Sequence, residues 1–569
     1  MQISELIRAA SGSVKPDLCL KNGRVVNVLS GEIERADILV HKGYIAAVGA
    51  HLPRARHSID MGGSFVAPGF IDGHVHIESS MMSVSEFARA VSSRGVTSVI
   101  TDAHEIANVL GIDGIKYMLE SAKYQPLNVF FMLPSCVPAT KMETAGARLS
   151  GFDLYPFLKE KWVVGLGEVM NFPGVIMADE DLLDKMKIAA GKRIDGHSPG
   201  LSGAGLAAYI ASGITSDHES TTLAEAREKL RRGMYVMVRE GTSEKNLASL
   251  IPLVNEKNYS RFFFVSDDRH PHDLVKEGSI DHLVRKAVSL GLAPLTAIRM
   301  ATINTAEYFR LPRIGALAPG YQADIAVFDS MRAIRPRMVM RRGAVVAKDG
   351  KFVARKVRIA ARLRGSVNVR WLDAKDFAVR AEGKRIKVIE VVPHQIVTRK
   401  KIMRAKVEKG LAVSDTANDA LKMVVVERHQ ASGAIGKGFV KGFGLKRGAI
   451  AQSVAHDSHN IIAVGADDRS IYSACVDIVK MGGGLSVADG DNILARMPLP
   501  IAGLMTDEPL ESVVTSLEEL LAAARKLGCG LPDPFMTLSF MALPVIPELK
   551  LTDKGLVDVN KMKITELFE

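Results

Sequence analysis

Between Phe65 and Asp268 the chain repeats one alternation, and that alternation admits few folds. Apolar runs end in polar residues and give way to amphipathic helical stretches. The runs are "FVAPGFIDGHVH", "VTSVITDAHE", "LNVFFMLPSCVP", "WVVGLGEV", "KRIDGHSPG", "GITSDHES", "MYVMVREG" and "RFFFVSDD". Stretches such as "SVSEFARAVSSRG" and "LAEAREKLRRG" lie between them, the latter closing on a glycine as helices often do. Eight strands alternating with helices over about 260 residues match the size of a (β/α)8 barrel of the TIM type. An open doubly wound α/β sheet is the rival. Its first turn carries a glycine-rich phosphate loop, which this chain lacks.

The flanks have a different texture. From about Leu18 to Pro68 short alternating runs are broken at Asn-Gly, Lys-Gly and Gly-Gly, and similar runs return near Ala323 in "ADIAVFD" and "PRMVMRRGAVVAKDGKFV". The domain plan is therefore a composite β-sandwich from residues 1–66 and 323–358 around a (β/α)8 barrel at 67–322. Residues 359–569 mix β-like runs with helices such as "SVVTSLEELLAAARKLG", an α+β domain. A length of 569 residues suits three such units.

Composition narrows the class. No apolar run reaches membrane-spanning length, and "MQISELIRAASGSVKPD" lacks the order of a signal peptide, so a cytoplasmic protein is expected with no membrane partner. Cys19, Cys136, Cys475 and Cys529 have no CxxC spacing, so no disulfide frame or zinc knuckle is implied. The net charge of +11 is scattered, and the patches "RARH", "MRRG" and "TRKKIMRAK" carry no nucleic-acid motif. A solvated basic surface, with no nucleic-acid partner, is the expectation. A closed homo-oligomer, dimer or larger, is the default for a soluble enzyme.

Function concentrates at the strand ends. In a strand, residues i and i+2 share a side, so His74 and His76 can aim both imidazoles at one point while Val75 packs away. The bland alternative is a pair of satisfied histidines on a polar strand face. But barrel active sites sit at the C-terminal strand ends, and there stand Glu168 (fourth run), His197 (fifth), His218 (sixth) and Asp267 with Asp268 (eighth). Any one of these is an ordinary polar strand end; together they read as a metal site. Four imidazoles and two carboxylates exceed what one four-coordinate ion needs, and Glu168 has two oxygens with which to bridge a pair of divalent ions. Such a pair lowers the pKa of a bridging water, and an adjacent Asp can shuttle its proton. The chemistry is hydrolysis at an electrophilic carbon of an amide, an ester or an amino-heteroaromatic ring.

HxH on the first strand, a carboxylate on the fourth, His on the fifth and sixth and Asp on the eighth resemble the amidohydrolase superfamily. The motifs "PGFIDGHVHIESSM", "DAHEIANVLG", "VMNFPGV", "DGHSPGLSG", "SDHE", "SDDR" and "AHDSHNIIAVG" are similar, over nearly the whole chain, to those of the bacterial-type adenine deaminases. That resemblance implies deamination of adenine to hypoxanthine and ammonia, a purine-salvage reaction, with two divalent ions. Manganese is the first choice; iron or zinc also suits imidazole ligands. Glu168 stands where many superfamily members carry a carboxylated lysine, which argues against a dihydroorotase or hydantoinase. The implied roles are His74 and His76 on one ion, His197 and His218 on the other, Glu168 bridging, and Asp267 as ligand and proton shuttle. Asp268 is a nearly equal candidate for that last role.

Substrate recognition falls to His104 and Glu105 at the second strand end, which either meet the purine or orient the ligands. Glu78 either joins the ligands or opens the next helix as a favourable N-terminal charge, and Ser198 shapes the pocket. Arg239 reads as a structural salt-bridge residue, and His270 with His272 as a solvated turn. The glycine-rich "ASGAIGKGFVKGFG" lacks a phosphate-loop ending and reads as close backbone packing. "AHDSHN", with His456, Asp457 and His459, either closes over the barrel mouth or stabilises its own domain. Two other functions stay open: a metal-dependent deacetylase of amino-sugar phosphates, which needs a basic clamp at the mouth, and a non-catalytic scaffold of the same fold.

Overall fold

The computed structural model describes residues 3–355, 357, 363–393 and 395–569; the expected boundary between residues 358 and 359 lies outside the described residues. Eight strands follow one another mid-chain: β1 (Phe70–Val75), β2 (Val96–Asp102), β3 (Asn128–Leu133), β4 (Val163–Val169), β5 (Arg193–Gly196), β6 (Ser216–Asp217), β7 (Tyr235–Arg239) and β8 (Phe262–Val265). They form two parallel arcs in chain order, β1 to β5 and β6 to β8. Hydrogen bonds span both gaps. The Thr215 N–H donates to the Ile194 carbonyl at 3.2 Å, and the Asp267 N–H donates to the His74 carbonyl at 3.0 Å.

Burial explains the unbroken apolar runs. β1, β2, β3 and β8 are buried along their whole length, as parallel strands covered on both faces must be. Helices such as Val84–Ser92 and Leu223–Arg231 supply the cover. In the second, Thr222 caps the start by accepting the Glu225 N–H at 3.3 Å, while Lys229 and Arg231 complement the dipole at the end. Packing is tight where β1 passes β8: a Cβ on Gly73 would lie 2.6 Å from the Phe263 ring.

The two flanks of the chain meet. Strands Leu18–Asn27, Glu32–His41, Tyr44–Gly49, His57–Asp60 and Phe65–Pro68 join Ile325–Phe328, Met338–Arg341, Ala344–Lys348 and Lys351–Phe352 in one nine-stranded sheet. Its joint is the antiparallel pairing of Phe65–Pro68 with Ile325–Phe328, with Pro68 opposite Ile325. Leu20, Val25, Ile38, Val66, Ile325 and Val327 fill the β-sandwich core on one side.

The C-terminal part is β-rich, an eight-stranded sheet with helices Asp468–Met481 and Leu510–Lys526. "GAIAQSVAHDSHNIIAVGA" becomes two antiparallel strands, Ala449–Gln452 and Ile461–Gly465, with "AHDSHN" in the loop between them. The glycine-rich segment forms strand Ile435–Lys441. There the Thr552 carbonyl approaches Gly436 so closely that a Cβ would lie 1.7 Å from its oxygen, so close packing rather than phosphate binding sets those glycines. This part docks on the strand-end loops. The Thr144 N–H donates to Asp553 at 2.9 Å, the Asn460 amide to the Thr144 carbonyl at 2.8 Å, and the Thr506 N–H to the Met81 carbonyl at 2.9 Å. All four cysteines are buried and unbridged. Among the described residues no helix is long and apolar enough to cross a membrane.

Candidate metal centre

Every strand-end candidate sits at one end of the arcs. His74 lies in β1 and His76 just beyond it, Glu168 in β4, His197 and His218 directly after β5 and β6, and Asp267 two residues past β8. All six are buried. The β1 pairing does what residues i and i+2 should: the Nε2 atoms of His74 and His76 are 3.0 Å apart. Asp267 takes up φ 55°, a left-handed conformation that Asp tolerates better than most residues. Its N–H bond to the His74 carbonyl ties it to β1, and its Oδ1 lies 3.2 Å from His76 Nε2 and 3.6 Å from His74 Nε2.

Glu168 joins two halves. Its Oε1 is 3.1 Å from His76 Nε2 and 3.6 Å from His74 Nε2, while its Oε2 is 2.5 Å from His197 Nδ1 and 3.1 Å from His218 Nε2. His197 Nδ1 and His218 Nε2 are themselves 3.2 Å apart. Two ligands each about 2.1 Å from a tetrahedral ion lie roughly 3.4 Å from one another; the first cluster is close to that spacing, whereas in the second Glu168 and His197 approach to hydrogen-bond distance. The tautomers agree. His76 Nδ1 is 3.0 Å from the Asp102 carbonyl, to which it donates, leaving the Nε2 lone pair facing the cluster. The Asp102 carboxylate accepts the Glu168 N–H at 3.0 Å and sets that backbone.

The electrostatics of the cluster favour positive charge on its histidines. Burial resists charge on His74, but Asp267 and Glu168 outweigh it and raise its pKa to about 10. His76 is raised too, the same carboxylates and Asp268 overcoming burial. Against their own burial, Glu168 is held far below the usual carboxylate range by His218 and His197, and Asp267 by His74, His76 and Arg239. An acceptor set that pulls in this much positive charge fits divalent ions.

Asp268 points elsewhere: Ser79 Oγ donates to it, and burial raises its carboxyl despite His456 and His76. His104 lies 3.5 Å from Asp102, 3.4 Å from Glu105 and 3.6 Å from Asp457. Glu105 meets His456 Nδ1 at 2.8 Å and contacts His459 Nε2. A small cavity of about 20 Å3 lies beside these groups, lined by His104, Glu105, Asp268, His456 and Asp457, with Met170, Ile396, Phe540 and Leu543 as apolar wall. That is about the room one water takes, far below the roughly 300–1,000 Å3 of drug-sized ligand sites, so these side chains must part to admit a base.

Two sequence candidates lie off this wall. The Ser198 N–H and hydroxyl both donate to Asp217 Oδ1 at 2.9 Å, so Ser198 braces β6 rather than lining the cavity. Glu78 accepts the Ile106 N–H at 3.4 Å, and burial beside Glu105 raises its pKa to about 7. His270 is buried and lies 2.6 Å from Asp533, and His272 pairs with Asp273 at 3.1 Å, so that segment is no solvated turn. Arg239 does form a salt bridge, but inside the site: it donates to Asp267 Oδ2 at 2.7 Å and grips Glu219 with both nitrogens. Glu219 went unread although it directly follows His218. Phe540, Leu543 and Ile396 carry no local signal, because they arrive from distant chain.

Residues 65–357 match the family model "Amidohydrolase family", and residues 395–563 match "Adenine deaminase C-terminal domain". The chain is 51% identical over 563 residues to a protein named adenine deaminase from Dehalococcoides mccartyi, covering 99% of this chain and 98% of that one. It is 49% identical over 568 residues to a protein of the same name from Desulfatibacillum aliphaticivorans, covering 99% of each. A third, from Methanothrix thermoacetophila, is 49% identical over 571 residues and covers 100% of each.

Proposed function

Because this chain belongs to the amidohydrolase family and, within it, to the adenine deaminases, we propose that it hydrolyses adenine to hypoxanthine and ammonia in the cavity beside Glu168. The substrate rests on near-full-length identity to adenine deaminases. The chemistry rests on one observation: Glu168 turns a different oxygen toward each histidine pair. We read the two arcs as one (β/α)8 barrel, supported by the hydrogen bonds across both gaps, with residues 1–66 and 323–358 as its β-sandwich and the C-terminal part as its roof. A closed homo-oligomer is the expected assembly.

His74, His76, Asp267 and Glu168 would hold one cation, and His197, His218 and Glu168 the other. Two divalent ions, manganese ahead of iron or zinc, would supply Lewis acidity and acidify water at neutral pH. Asp267 is placed to accept a proton from the attacking water and to deliver it to a ring nitrogen of adenine or the departing amine, since NH2− does not leave unprotonated. Its distances to His74 and His76 favour it over Asp268, which Ser79 engages. Arg239 keeps Asp267 oriented. Glu105, ionised against its three histidine neighbours, accepts an N–H of the purine. Phe540, Leu543 and Ile396 exclude water from the reacting edge.

Among the described residues lining the cavity Arg239 is the only Lys or Arg, and Glu219 with Asp267 occupies it, so these residues offer no free clamp for a sugar phosphate. The test is to give the metal-loaded protein adenine, following hypoxanthine by absorbance and ammonia by release in equal amounts. Release of acetate from an N-acetyl amino-sugar phosphate, with adenine untouched, replaces this reading with the deacetylase; no turnover of either leaves the scaffold.

A further inference from the structure

Among the described residues outside the metal ligands, His104, Glu105, Asp457 and His456 line the cavity and each keep a buried polar atom without a hydrogen-bond partner; His456 is the one that the C-terminal part fixes most closely. His456 belongs to the loop between Ala449–Gln452 and Ile461–Gly465, and it is 2% exposed. Three contacts fix it. Its N–H donates to the Ser539 carbonyl at 3.1 Å, its Nδ1 lies 2.8 Å from Glu105 Oε1, and its ring stacks on Phe540 at 4.6 Å and 11°. Nδ1 therefore carries a proton toward Glu105, and against the ring's burial Glu105 with Asp268 raises its pKa to about 9, so Nε2 carries a proton as well. The far nitrogen, Nε2, is buried and has no hydrogen-bond partner among the described residues, while the side chain lines the cavity. A buried ring nitrogen left without a partner is destabilising, and a polar ligand in the cavity removes that cost.

His459 explains why the geometry holds. Its Nδ1 accepts the Ala455 N–H at 3.2 Å, so its proton sits on Nε2, which contacts the second oxygen of Glu105. Both oxygens of Glu105 thus face histidines from the C-terminal part of the chain. The fixed tautomer also removes His459 Nε2 as a metal ligand, although Glu105, His456 and His459 have ligand-like spacing.

We propose that His456 is a specificity-determining residue: its Nε2–H donates to a ring nitrogen of the heterocycle, and His459 is the positioning residue that holds Glu105 beside it. The C-terminal part then reads the base rather than only covering the site. This rests on the adenine deaminase reading above, and turnover of adenine by the wild-type protein tests that reading first and separately.

The full-length, metal-loaded protein is compared with His456→Asn, which keeps a nitrogen near the Nδ1 position and deletes Nε2. The expected result is a KM for adenine raised about tenfold or more, the size of one buried polar contact, with kcat within about threefold and metal content and thermal midpoint unchanged. His456→Gln, which places an amide nearer Nε2, should recover part of the loss. His459→Ala should raise KM and His459→Gln restore it. Adenine analogues with a single ring nitrogen replaced by C–H, measured as competitive inhibitors, locate the contact. One of them should bind wild-type protein as weakly as adenine binds His456→Asn, and lose nothing further on the variant. An unchanged KM in His456→Asn, or an equal loss for adenine and every analogue, overturns the proposal.

Discussion

Glu168 Oε2 lies 2.5 Å from His197 Nδ1, while the other oxygen of the same carboxylate turns away toward His76. One side chain therefore faces two histidine clusters, and an amide cannot replace it as a bridging ligand, because its NH2 offers no lone pair to an ion. If Glu168 bridges, Glu168→Gln should bind one divalent ion or fewer per chain where the wild type should bind two, with kcat reduced by about 10^3 or more. Metal analysis after dialysis decides it: two tightly held ions in the variant would remove the bridging role.

Asp267 and Asp268 are neighbours in sequence with different surroundings, one facing His74 and His76, the other bonded by Ser79. Asp267→Asn should lower kcat by about 10^2–10^4, the usual worth of a positioned proton carrier. Asp268→Asn should act mainly on KM. Equal losses of kcat in the two variants would leave the shuttle unassigned between them, against the geometry.

Arg239 is 2% exposed and neutralises Glu219 and Asp267 together. Removing one partner of a buried ion pair strands the rest, at about 3–5 kcal/mol. Arg239→Met should lose that much stability, and Glu219→Gln introduced on top of it should cost less than Glu219→Gln alone. Additive losses in denaturant titrations would mean that the guanidinium and the two carboxylates are not coupled.

Much of this site is local and therefore legible. His74, His76, Glu168, His197, His218 and Asp267 each end a hydrophobic run, and strand geometry turns them the same way without help from elsewhere. The choice between Asp267 and Asp268 is not local: it depends on a left-handed turn and on Ser79. Nor is the place of Arg239, since a strand-end arginine looks the same whether it meets a surface carboxylate or the centre of a site. Ser198 misleads for a related reason. Its position after a ligand histidine suits a pocket, but Asp217 across the adjacent strand captures both its donors. His270 is buried only because Asp533 reaches it from more than two hundred and fifty residues away. The same holds for the roof, where His456 meets Glu105 and stacks on Phe540 through tertiary contacts that no window of sequence contains.

Lys550 ties that roof together and makes its stability depend on pH. It is buried, and its Nζ donates to the carbonyls of Ile396 at 2.7 Å and Phe540 at 2.8 Å, both cavity-lining residues. Burial lowers its pKa from 10.5 to about 7. Below pH 7 the amine is charged in folded and unfolded chains alike, and the folded chain carries the full desolvation cost. Between about pH 7 and 10.5 the unfolded chain binds the extra proton, so rising pH favours the folded state by up to about 1.4 kcal/mol per unit. Lys550→Met has no such proton. The stability of the wild type relative to this variant should therefore rise by roughly 2–3 kcal/mol from pH 7 to pH 9 and stay level below pH 7. Denaturant midpoints of the two proteins across that range measure it, and a difference that does not change with pH would place the titration of Lys550 outside the window.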